Sequence, residues 1–263
     1  MKLPFAQIDA FAERPFEGNP AAVMPLEAWL DDAVLQAIAA ENNLAETAFV
    51  IPDASGEADW ELRWFTPAVE VALCGHATLA SGHYLLGRDG GTRLRFRTRQ
   101  SGVLEVRREG DRYALDLPAW TPAPRAMPDT LAALGLSVSV ATLWHPSRYA
   151  LVIVEHEGQV RDCCPDFRAL AATGDVLAIV SAPGADTDVV SRVFAPGAGI
   201  DEDPVTGSAH AVLAPFWAAK LGRPAFSAYQ ASARGGHVGC RLDGDRVMLT
   251  GGCVTVIEGI FML

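Results

Sequence analysis

One local plan is written twice in this chain. "FTPAVEVALCGHATLASGHYLLG" begins at Phe65 and "FAPGAGIDEDPVTGSAHAVLAPF" begins at Phe194. Each runs Phe-x-Pro, an irregular loop, a glycine, and then a helical stretch with small residues in its first turn. Cys74-Gly75-His76-Ala77 lies over Thr206-Gly207-Ser208-Ala209, and the second loop is longer by three residues. A repeated unit constrains a fold strongly, because each copy has to bury the same kind of face. The repeat implies an α+β chain of two similar lobes, each a strand-rich layer around one central helix.

The sequence between the copies keeps the same grammar. Phe5–Ile8 alternates as a strand and runs on to the Gly18-Asn19-Pro20 turn. "LDDAVLQAIAAENN" carries Leu30, Val34, Leu35 and Ile38 at helical spacing, with Asp31 or Asp32 for its first turn and Asn42-Asn43 for its stop. "WELRWF" sets Trp60, Leu62 and Trp64 on one face and predicts a half-buried strand. The helix from Gly75 should end near Gly87, and strands should follow at Leu94–Thr98, Gly102–Arg107 and Tyr113–Leu117. Four prolines in "PAWTPAPRAMP" read as a semi-rigid linker, giving lobes of residues 1–117 and 125–253. In the second half, strands are expected at Val138–Leu143, Tyr149–Glu155, Val176–Ser181 and Asp188–Phe194, with helices near Leu131–Leu134, over Asp166–Ala172 and from Ser208.

Bulk properties narrow the function. Half of the 263 residues are hydrophobic, and 32 acidic against 21 basic residues give a formal charge of −11. Such a surface argues against nucleic acid or an anionic membrane as the main partner, whereas a local pocket can still take a small anion. The N-terminal stretch lacks a secretory apolar core, and no run of about 18 apolar residues suggests a membrane span. Five cysteines without Cys-x-x-Cys spacing suit reduced thiols, so a cytoplasmic location is expected.

A glycine before a helix lets the leading backbone N–H groups approach a ligand, and the helix dipole favours an anion there. Gly75 and Gly207 mark two such starts, with His76, Asp203 and Ser208 beside them. "ENNLAETAFVIP" adds a single carboxylate, Glu46, at the mouth of an apolar strand. Either Glu46 turns into solvent or it is a proton carrier in an apolar pocket, because burying an unpaired charge is costly.

"FxxxPFEGNPAAV" near the start, "NLAETAFV" at Asn43–Val50, "FTPAVEVALCGHATLA" at Phe65–Ala80, "EDPVTGSAH" at Glu202–His210 and the terminal "VTVIEGIF" together resemble the phenazine-biosynthesis PhzF-like isomerases. The resemblance covers nearly the whole chain in the right order. It implies the diaminopimelate-epimerase-like fold, with two pseudo-symmetric lobes, each a β-barrel-like sheet around a helix, an active site between them, and a last strand, about 254–263, that returns to the first lobe. It also implies that Glu46 is the general acid/base and that His76, Asp203 and Ser208 bind substrate, with Gly75 and Gly207 at the helix starts. Asn19, in its Gly-Asn-Pro turn, either satisfies the turn or reaches the substrate. The implied reaction moves a proton between carbons of a small carboxylic acid without a cofactor, and the family resemblance suggests a homodimer. An apolar setting for Glu46 suits proton shuttling at a carbon acid, and helix-start donors suit the negative charge that develops.

Rival chemistries fare worse. An amino-acid racemase of this fold uses two opposed thiols; Cys74 holds the first position, but Thr206 holds the second and cannot transfer that proton near neutral pH. The six histidines are scattered, and Cys163-Cys164 lacks a partner pair at zinc-ligand spacing, so no metal is expected. A non-catalytic small-ligand binder remains as the other class; the intact set Glu46, His76, Asp203 and Ser208 favours an enzyme. His210 and the Arg234-Gly235-Gly236 turn are left open as pocket-lining residues.

Overall fold

The apolar alternations become strands, and both small-residue stretches become helices of fifteen residues. The computed structural model describes residues Met1–Leu263, the side chain of Asp89 excepted. The chain divides into two compact units, Met1–Leu117 with Thr250–Leu263, and Pro118–Leu249.

The first unit contains β1 (Lys2–Ala10), β2 (Asn19–Pro25), α1 (Asp32–Asn42), β3 (Glu46–Pro52), β4 (Trp60–Phe65), β5 (Glu70–Val71), α2 (Gly75–Asp89), β6 (Arg93–Thr98), β7 (Val103–Glu109) and β8 (Arg112–Pro118). β1 pairs antiparallel with β2, which runs parallel to β3; β3 and β4 are antiparallel, β4 and β6 parallel, and β6, β7 and β8 form a meander. α1 buries Leu35, Ile38 and Ala39, and Asn43 closes it in the left-handed region. These side chains join Met24, Phe49 and Phe65 in one apolar cluster.

α2 packs against β1, β2, β3, β6 and β7. The helix does not stop near Gly87, as its sequence suggests; it continues to Asp89, and Gly90 at φ 70° bonds back to the Leu86 carbonyl. Gly82 permits the closest approach, since a Cβ there would stand 2.4 Å from Val106 Cγ1. Gly87 lies in the same helix with nothing within 4 Å of its added Cβ. Gly82→Ala should therefore destabilise the chain by about 1–3 kcal/mol through overpacking. Gly87→Ala should stabilise it by about 0.5–1 kcal/mol through helix propensity. Thermal melts of the two variants should move in opposite directions; a shared direction would refute the packing account.

β4 also departs from its half-buried reading. Arg63, on the face expected to meet solvent, is only 2% exposed. Its guanidinium grips Glu70 at 2.8 Å through two nitrogens and Asp32 at 2.9 Å, with the Trp29 and Phe65 rings against it. Asp32 opens α1, so the helix and its partner charges cover this face and pair the cation they bury.

The second unit contains β9 (Ala123–Pro124), α3 (Pro128–Ala133), β10 (Ala141–His145), β11 (Tyr149–Ile153), α4 (Glu157–Arg161), α5 (Phe167–Ala171), β12 (Leu177–Pro183), β13 (Val189–Ala195), β14 (Ile200–Asp203), α6 (Gly207–Leu221), β15 (Ala225–Gln230), β16 (Gly236–Asp243) and β17 (Arg246–Gly251). β10 starts at Ala141 rather than Val138, and Val138 and Val140 are exposed. Leu134, Val152, Val160, Val180 and Phe194 belong to one buried cluster of this unit. The final strand, β18 (Cys253–Met262), returns to the first unit and pairs antiparallel with β1.

The proline-rich stretch is part of the second unit rather than a free linker, because its backbone groups are bonded there. Ala119 donates to Asp245, and Ala123 and Pro124 pair with Trp144 and Leu143. Trp120 N–H reaches the Ala211 carbonyl inside α6 at 3.0 Å. That carbonyl has lost its intrahelical partner because the residue four positions on is Pro215, which has no N–H. Trp120 supplies the missing donor.

Candidate active site

Glu46 opens β3 opposite Ala21 of β2, two residues beyond Asn19. This register and the start of α2 gather four side chains. Glu46 is not a solvated strand residue: its side chain is 12% exposed, and its Oε2 lies 3.0 Å from His76 Nε2. The other ring nitrogen of His76, Nδ1, is 3.2 Å from the Asn19 amide nitrogen and 3.5 Å from Cys74 Sγ. Asn19, His76 and Cys74 are all buried. Asn19 is therefore bonded to the histidine rather than serving the turn alone.

The electrostatics follow from this crowding. Burial opposes an imidazolium at His76, but the Glu46 carboxylate beside it favours one, and its pKa is raised well above the usual histidine value. Burial, reinforced by the charge of Glu46, pushes the Cys74 thiol up to about 11. At neutral pH Cys74 is therefore a protonated thiol, a poor nucleophile.

The second unit carries the counterpart at α6. Thr206 is the residue preceding the helix, as Cys74 is for α2, and neither caps its helix with its own side chain. Thr206 commits its hydroxyl to the Asp203 carboxylate instead. Gln230 ties the loop together, donating to the Asp203 carbonyl at 2.7 Å and accepting from the Thr206 N–H at 2.9 Å. Ser208 opposes the rise that burial produces in the pKa of the Tyr149 phenol. Ser232 donates to the Pro204 carbonyl and accepts from Gly235 N–H, anchoring the Arg234-Gly235-Gly236 turn to the same loop. His210 is fully buried, with Nδ1 2.8 Å from the Thr206 carbonyl; burial brings its pKa down to about 4.

The residues singled out from sequence thus fall into two sets, Asn19, Glu46, Gly75 and His76 in the first unit and Asp203, Gly207 and Ser208 in the second. Gln230 and Tyr149 were not among them. For Gln230 a signal existed: Phe226, Ala228 and Gln230 alternate on the buried face of β15, and a glutamine in that row has to find polar partners.

Comparison with known proteins gives a consistent result. The family described as "Phenazine biosynthesis-like protein" matches residues 8–259. The uncharacterized isomerase PA3578 of Pseudomonas aeruginosa is 52% identical over 262 residues, covering 98% of each chain. The crystal structure of a PhzF-family phenazine biosynthesis protein from Enterococcus faecalis superposes with a TM-score of 0.91 at 42% identity, covering 100% of each chain. A hydroxyproline epimerase from Agrobacterium vitis shares the fold alone, with a TM-score of 0.64 at 12% identity over 98% of this chain and 92% of that one. The architecture is the diaminopimelate-epimerase-like one. No helix among the described residues is long and apolar enough to cross a membrane.

Proposed function

Because the chain belongs to the phenazine biosynthesis-like family of isomerases, we propose that it moves a proton between carbons of a small carboxylic acid, with Glu46 as general acid/base and no cofactor. The observation that carries this reading is the Glu46–His76 pair, a largely buried carboxylate held at 3.0 Å by one histidine at a helix start. Glu46 accepts the proton as the carbon–hydrogen bond breaks and an oxygen–hydrogen bond forms. The electron pair left behind shifts a double bond along the substrate, and the same carboxyl returns the proton to a second carbon. Atoms and charge balance without an oxidant or a metal.

His76 positions the carboxylate oxygen, and Asn19 fixes the imidazole from its other side. The leading N–H groups of α2, which no cap side chain occupies, are assigned to the developing negative charge. In the second unit Asp203, Thr206 and Gln230 are hydrogen-bonded at the α6 start, and Gly207 and Ser208 there are assigned to binding an anionic group. Proton exchange in heavy water, followed by NMR over a panel of small carboxylic acids, tests the reading. A folded chain that binds such acids yet exchanges no carbon-bound proton would be a binder, not an isomerase.

Two-thiol racemisation lacks its second thiol, since Thr206 stands at that position with its hydroxyl on Asp203. Cys74→Ser should accordingly keep most of the exchange rate, with losses limited to packing. Near-total inactivation of a well-folded Cys74→Ser chain would restore the thiol mechanism.

A further inference from the structure

We infer that Glu46, Cys74 and His76 form a three-ligand site for Zn²⁺, whose occupation switches the isomerase off. One ligand atom from each residue lies within 4.8 Å of the others. His76 Nε2 is 3.0 Å from Glu46 Oε2 and 4.0 Å from Cys74 Sγ. A tetrahedral zinc ion, with bonds of about 2.0–2.1 Å to nitrogen or oxygen and 2.3 Å to sulfur, needs ligand separations of roughly 3.3 and 3.6 Å. Small side-chain rotations span the difference at both contacts. Sequence spacing conceals this set, because Glu46 is brought to Cys74-x-His76 only by the pairing of β2 with β3 and the start of α2.

The donor set selects the metal. Thiolate, imidazole and carboxylate together suit Zn²⁺, whereas Mg²⁺ and Ca²⁺ take oxygen ligands in larger number. Three protein ligands leave the fourth position open to water or a carboxylate. A coordinating histidine usually holds its second nitrogen on a polar partner, and Asn19 already stands 3.2 Å from His76 Nδ1. Rotation of that amide exchanges its donor for its acceptor, as a metal-bound imidazole with its proton on Nδ1 requires. Binding displaces the thiol proton of Cys74 and the Nε2 proton of His76 into solvent.

Coordination occupies the carboxylate oxygen that has to receive the substrate proton, so metal binding and turnover exclude each other. The inhibitory role rests on the proposed function of Glu46; the binding does not. Zn²⁺ should compete with a chromophoric chelator at one ion per chain, and Cys74→Ser and Glu46→Gln should each weaken it by more than about tenfold, the loss typical even of outer partners. Co²⁺ in place of Zn²⁺ should produce a thiolate charge-transfer band in the wild-type chain that Cys74→Ser lacks. The band is read on the unmodified chain, so misfolding of a variant does not remove the test. Absence of the band, or equal Zn²⁺ affinity in all three chains, overturns the site. Exchange that continues at saturating Zn²⁺ overturns the inhibition, and unlike failure of the isomerase reading it requires an active enzyme to be seen.

Discussion

Glu46→Gln should slow carbon–hydrogen exchange by about 10²–10⁴-fold, the usual contribution of a general acid/base, with the loss falling on turnover rather than on substrate binding. Glutamine keeps the side chain's size beside His76, whose Nε2 lies 3.0 Å from the carboxylate oxygen. Only the titratable proton carrier is removed. Stability should stay level or rise slightly, because a largely buried carboxylate carries a desolvation cost that an amide avoids in part. Exchange rates and denaturant melts of the same preparation separate the two effects. A Glu46→Gln chain as active as wild type would end the mechanism.

The second large effect concerns acid stability and lies at His210. Its folded pKa is brought to about 4 by burial, partly offset by the Thr206 carbonyl, from an ordinary value of 6.5. Between those two values the unfolded chain binds a proton that the folded chain refuses. Stability is therefore intact above pH 6.5 and declines as the pH falls toward 4, by about 3 kcal/mol from this one group. His210→Gln removes that decline. Urea melts should show the variant gaining on wild type by about this amount between pH 7.5 and pH 4, whatever its offset at neutral pH. Parallel stability curves would show that the imidazole titrates normally.

What could be read from the chain depended on whether the signal was local. The Gly75 and Gly207 helix starts, the Asn43 stop of α1 and the apolar alternations are contained in short windows, and they appear in the structure as elements. Family resemblance assigned roles to Glu46 and His76, but their contact was not legible, since it joins β3 to the start of α2 through tertiary packing. The burial of Arg63 was not legible, because the alternation of Trp60, Leu62 and Trp64 says which side chains share a face, not whether α1 and Glu70 will cover the other face. The end of α2 was misplaced for a related reason. Glycine is tolerated inside a helix that tertiary packing supports, so Gly87 did not stop it. Gln230 shows the limit most clearly: its alternation was legible, but its partners at Asp203 and Thr206 belong to a different loop.

The bond from Trp120 to Ala211 ties two stretches of chain into one cooperative event. Pro215 interrupts the ladder of α6, so the helix cannot satisfy its own backbone however favourable its residues are. Its last missing donor comes from a segment synthesised long before it. The central helix of this unit is thus complete only after a long-range loop has closed, and the closure entropy of that loop is part of what the helix has to overcome. A proline that looks like a local flaw couples this helix to the preceding segment through the bond that replaces its missing donor.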